Sequence, residues 1–243
     1  MPYRASGWRR LGTHARRRRI LAAAAVVVWL GGLIMPQAGQ AATQFGLPFA
    51  GQPGPSTWYV AQWYGNTEWA YRNWPDLYSE GQGFHFGIDF AAPCGTPVHA
   101  IGNGVVFAVD GPYGAAPHNL VINLEDGYLV LYGHLLQRAP VTVGQPVARG
   151  QVVAYSGDPT GPNCSRASHL HLEIRRTGMA VAVDPVPLIA ANWRAAEIGA
   201  HTDGTRFELD YANPSRWQVP QDQPDVRFGG PVLNTFSPAW PPK

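Results

Sequence analysis

Between residues 84 and 178 the chain is cut into short β patterns by turn residues every few positions. FHFGIDF, PVHAIGN, GVVFAVD, NLVINLEDG, YLVLYGHL, QPVARGQVVAYSG and SHLHLEIRRTG follow one another with little else between them. Apolar alternation closed repeatedly by Gly, Pro, Asn and Asp predicts an all-β sheet or sandwich. The 28 Gly and 23 Pro among 243 residues favour the same turn-rich architecture over a helical one. With 45% hydrophobic and 14% charged residues the chain can bury a core.

The flanks differ in character. Residues 1–41 combine a basic stretch, WRRLGTHARRRR, with the apolar run ILAAAAVVVWLGGLI at 20–34 and the small residues of MPQAGQAAT. That order predicts a signal peptide, with the mature chain starting near Ala42. Fifteen apolar residues rise about 1.5 Å each, which is short for a bilayer core of roughly 30 Å, so membrane contact is expected only where the signal stays uncleaved. Seven of the 18 Lys and Arg (Arg4, Arg9, Arg10 and Arg16 to Arg19) lie in this segment, which has no acid. The remainder therefore holds eleven bases against 16 acids, a net charge of −5. An acidic body of this kind carries no nucleic-acid footprint. Residues 42–83 read as a linker, an edge strand at 57–65 and a long aromatic loop. A short helix is expected within 187–199, and 191–243 as a polar, Pro-rich extension.

Two histidines stand two apart in SHLHLEI. In a strand, alternate residues share a face, so His169 and His171 project together while Leu170 and Leu172 turn to the core. In HFGIDF, His85 and Asp89 also share a face, with Gly87 between them. His134, in LYGHLL, closes a further alternating strand. Imidazole and carboxylate are the ligands zinc takes when no thiolate is supplied, and a catalytic zinc keeps three protein ligands and one open position. His85, Asp89 and one of the His169/His171 pair make such a set. There is no HExxH, so base and charge-stabilising roles fall to the remaining histidines. Glu173 is expected to face away from the histidine pair and to pair locally.

The order and spacing of FHFGIDFAAPCGTPVHAIGNGVV, YGHL, VGQPVARGQVVAYSG, SHLHLEI and VDP resemble the lysostaphin-like (LytM-type, M23) zinc metallopeptidases over residues 84–190. The resemblance implies an antiparallel β-sheet core (lysostaphin-like, barrel-sandwich-hybrid-like) with long loops. It implies zinc held by His85, Asp89 and His171, and a catalytic pair formed by His134 and His169. Ser168 and Leu172 stand where the family commonly has Pro and Phe, and neither change removes a ligand. The function implied is an exported zinc endopeptidase, secreted or in the cell envelope, acting as a monomer on peptidoglycan cross-links or stem peptides. The alternative is a non-catalytic envelope module that binds or activates cell-wall amidases; such modules usually have broken ligand sets, and all five residues are present here.

Other residues receive plainer expectations. Two cysteines in an exported chain predict one disulfide. Cys94 lies five residues past Asp89 and Cys164 five before His169, so a shared metal would bring them together. His99 and His118 are expected at the surface or on strands. Gly144 and Gly150 should sit in turns, Asp184 should cap the turn before Pro185, and the tryptophans and tyrosines of 58–78 should either pack on a sheet edge or stack on a glycan.

Overall fold

The computed structural model describes residues 45–74, 76, 82–161, 164, 166–197, 203–210, 213 and 215–236. The predicted signal peptide 1–41 lies outside the described residues. Within them no helix is long and apolar enough to cross a membrane.

The strands are β1 (Tyr59–Gln62), β2 (Ile88–Ala91), β3 (Pro97–His99), β4 (Gly104–Val109), β5 (Leu120–Leu124), β6 (Tyr128–Gly133), β7 (Pro146–Val147), β8 (Val152–Tyr155), β9 (His169–Arg176), β10 (Val181–Val183) and β11 (Val226–Arg227). The main sheet runs β1-β2-β9-β6-β5-β4-β7, with β3 and β8 forming a separate pair. Every strand pairing is antiparallel. Among the described residues the sheet stays open and does not close into a barrel. Two short helices, α1 (Glu68–Arg72) and α2 (Trp193–Ala196), interrupt the β pattern. The first falls in the stretch expected to be a loop; Thr67 starts it by accepting from the Ala70 amide.

Strand β9 organises the molecule. Its residues 171–176 pair with β6 along one edge. The other edge is shared, by β2 opposite residues 169–172 and by β10 opposite 174–175. Leu170, Leu172 and Ile174 are fully buried beneath the sheet, against Ile88 and Phe90 of β2 and Val130 and Tyr132 of β6. The period-2 rule then sends His169, His171, Glu173 and Arg175 to the opposite face together.

The described residues of 203–236 are not a loose tail. Trp63 N donates to Gly204 O, Glu68 N to Arg206 O and Trp69 N to Asp203 O. Arg206 Nε lies 2.9 Å from the buried Glu68 carboxylate. Asn66 N donates to Gln223 Oε1 and Asn234 Nδ2 to the Thr67 carbonyl. Strand β11 adds to β10 and so joins the main sheet. A polar, Pro-rich segment packs here mostly by satisfying backbone groups of the 59–74 stretch, which is why its composition gives little hint of burial.

Candidate metal centre

Asp89 and His171 are directly opposed across β2 and β9, and Gly133 at the end of β6 opposes His171 on the other side. His85 precedes β2; it is held by a bridge to Gly65 rather than lying on a continuous strand as the sequence suggested. Gly87 makes this approach possible: a Cβ there would stand 2.5 Å from Leu172 O and 2.9 Å from His171 Cε1.

Three ligand atoms converge. His171 Nδ1 is 2.8 Å from Asp89 Oδ1, His85 Nε2 is 3.2 Å from His171 Nδ1, and His85 Nε2 is 3.3 Å from Asp89 Oδ1. Tetrahedral ligands about 2.0–2.1 Å from a zinc ion stand about 3.3–3.4 Å apart, so the triangle is of the right size to hold one. Among the described residues this is the group of His, Asp, Glu or Cys side chains able to hold a metal.

The outer nitrogen of each imidazole is occupied, which fixes the nitrogen turned inward. His85 Nδ1–H donates to Trp63 O at 2.7 Å. His171 Nε2–H donates to Glu173 Oε1 at 3.0 Å, and Glu173 in turn accepts from Arg175 Nε at 2.5 Å. Outer partners of this kind set tautomer and ring orientation in metal sites. The expectation for Glu173 is therefore corrected. Residues 171 and 173 are two apart on one strand and face the same way, so Glu173 backs His171. Burial pushes the Glu173 carboxyl up, but the His171 hydrogen bond and the Arg175 charge hold it at about 2. Burial alone would lower the His171 pKa; hydrogen bonds donated by its two ring nitrogens to the Asp89 and Glu173 carboxylates raise it to about 10 in the absence of metal. Asp89 is half-buried; desolvation would raise its carboxyl, yet the neighbouring imidazoles hold it well below the usual range.

We expect Glu173→Gln, which keeps an acceptor and loses the charge, to weaken metal affinity by about 10–100-fold. Chelator competition on folded protein measures this, and unchanged affinity would show that Glu173 does not support His171.

His134 and His169 complete the cluster. Their ring centroids are 4.8 Å apart, and His134 lies 5.7 Å from the His171 ring. His169 Nδ1 donates to Ala167 O at 2.6 Å, leaving Nε2 at 3.7 Å from Asp89 Oδ2. His134 sits just beyond β6 in a left-handed conformation, φ 55°. Its amide donates to Ala115 O and its Nδ1 to Ala116 O at 2.5 Å, so the 110–119 loop aims the ring. Burial, reinforced by the charges of His171 and His169, lowers its pKa to about 4.

The five residues line a cleft of about 520 Å³ with Trp69, Tyr113, Thr160 and Phe228 on its walls. Cys94 and Cys164 are joined in a disulfide, Cα atoms 5.9 Å apart. His118 pairs with Asp110 at 3.0 Å, outside the cleft lining. His99 is half-buried on β3, near Pro48 O. Gly144 and Gly150 occupy left-handed turn positions, and Asp184 caps the turn by accepting from Val186 N. Trp58 and Trp63 are core residues, whereas Trp69 is 42% exposed. The sequence reading missed Glu173, the carbonyls that orient the imidazoles, and the walls contributed by Trp69 and Phe228.

Comparison with known proteins places this geometry. The model of peptidase family M23 matches residues 83–185. Lysostaphin of Staphylococcus simulans is 34% identical over 134 residues, covering 54% of this chain and 26% of its own length. The peptidoglycan DD-endopeptidase ShyA of Vibrio cholerae is 42% identical over 94 residues, 37% of this chain and 20% of its own. The glycyl-glycine endopeptidase ALE-1 of Staphylococcus capitis is 33% identical over 134 residues, 54% of this chain and 36% of its own. The matches thus span well under half of each relative. Residues 83–185 of this chain are a peptidase family M23 domain, homologous to lysostaphin and the LytM-type peptidoglycan endopeptidases.

Proposed function

We propose that this protein is an exported zinc metalloendopeptidase that hydrolyses peptide bonds in peptidoglycan. One observation carries the reading: three ligand atoms form a zinc-sized triangle, and two further imidazoles point into the same cleft. A purely structural metal site would be closed by a fourth protein ligand. The intact set also speaks against a non-catalytic, amidase-activating module.

His85, Asp89 and His171 hold the metal, with Trp63 O and Glu173 fixing the two rings. Bound zinc acidifies water and polarises a carbonyl. His134, held neutral with its proton on Nδ1, keeps an open Nε2 pair that accepts a proton at neutral pH. His169, whose Nδ1 donates to Ala167 O, would in its imidazolium form hold the oxygen that gains charge as the carbonyl is attacked, by donating from Nε2–H. The basic and apolar N-terminal segment supports export to the envelope or medium, with a mature chain beginning near Ala42.

The test is turnover of a cross-linked muropeptide dimer by zinc-loaded protein. His134→Ala should retain full zinc and lose about 10²–10⁴-fold in kcat, the usual worth of a positioned acid–base group. Loss of zinc in His134→Ala equal to that in His171→Ala would overturn the division between ligands and catalytic pair.

A further inference from the structure

The cleft wall beside the metal centre is built by a residue from outside the family domain. Strand β11 pairs with β10, Ala182 opposite Val226, and Phe228 N then donates to Ala180 O at 3.1 Å. This delivers Phe228 into the cleft. Its ring centroid is 4.6 Å from that of Phe86, the neighbour of His85 in the chain, and Arg175 Cζ stands 4.4 Å from the Phe228 centroid. Arg175 is already committed, Nε to Glu173 and Nη2 to the Tyr113 carbonyl at 3.1 Å. The surface that Phe86 and Phe228 offer next to the ligands is therefore aromatic, with the adjacent charge neutralised.

Such a wall gains nothing from a glycine, which has no side chain to bury, and gains from every methyl laid against it. It lines the same cleft as His85, Asp89 and His171, so it meets a peptide seated at the metal centre. Resting on the peptidoglycan-endopeptidase reading above, we infer that Phe228 is a specificity-determining residue selecting peptides with an alanine-sized or larger side chain beside the scissile bond over polyglycine. The C-terminal extension is then part of the substrate site. Its hydrogen bonds to the 59–74 stretch fix the wall in place.

The experiment compares a D-alanyl cross-linked muropeptide dimer with pentaglycine, using zinc-loaded wild type, Phe228→Ala and Phe228→Leu of matched thermal stability. Wild type should favour the alanine substrate by about tenfold in kcat/KM, the scale of one or two methyl contacts. Phe228→Ala should erase that preference by raising KM for the alanine substrate more than for pentaglycine, with zinc content retained, and Phe228→Leu should restore most of it. An unchanged alanine KM in Phe228→Ala, or an equal loss on both substrates, overturns the inference while the endopeptidase reading stands. If wild type cleaves neither peptide, the endopeptidase reading fails, and equilibrium binding of the same two peptides decides the subsite. An alanine preference lost in Phe228→Ala upholds it, and equal binding refutes it.

Discussion

Replacing His171 with alanine is expected to strip zinc from the protein and to reduce peptide hydrolysis to background. His171 Nδ1 is the corner shared by the two shortest edges of the ligand triangle, 2.8 Å to Asp89 and 3.2 Å to His85. Without it only two ligands remain, and the affinity loss should exceed the roughly 100-fold upper worth of an outer partner such as Glu173. The fold should survive. Leu170, Leu172 and Ile174 keep the core side of β9 intact, and Glu173 retains Arg175. Metal analysis after dialysis against a weak chelator measures the effect alongside circular dichroism. A folded His171→Ala protein that still carries one zinc would exclude His171 as a ligand.

Reduction of the Cys94–Cys164 bond should be the largest single loss of stability available without touching the metal. The bond closes a loop of sequence separation 70, which chain-entropy accounting values at about 4 kcal/mol. At roughly 2–4 °C per kcal/mol for a domain of this size, the melting temperature should fall by about 10 °C. Local structure should persist. Asp158 gathers the 158–167 loop by accepting from Thr160 N, Thr160 Oγ1, Arg166 N and Ala167 N, and Ser168 Oγ donates to Ala92 O at 2.7 Å. The reduced protein is therefore expected to melt early yet bind zinc more weakly rather than not at all. Calorimetry with and without reductant reads this directly, and identical melting curves would mean that the bond contributes nothing net.

The sheet was legible because its strands alternate and its turns are punctuated: each pattern from PVHAIGN to SHLHLEIRRTG contains an observed strand or pair of strands. His169 and His171 were legible as a pair because residues two apart on a strand share a face, whereas His85 reaches Asp89 through its bridge to Gly65 and not through strand alternation. Glu173 is readable from strand alternation, since it stands two residues beyond His171 on β9. The orienting carbonyls of Trp63, Ala116 and Ala167 were not legible, since any residue supplies a carbonyl and only the fold decides where it points. Phe228 was hidden for a different reason. Its strand spans two residues, Val226–Arg227, too short to show a period, and its partner β10 lies more than forty positions earlier.

The most direct measurement of the central claim is a digest of purified peptidoglycan by the zinc-loaded protein, read by mass spectrometry before and after chelation. The account predicts peptide products with new amino and carboxyl termini, absent after chelation, restored by zinc, and absent with His171→Ala. Intact cross-links and stem peptides after exhaustive incubation, or the same products from metal-free protein, would contradict it.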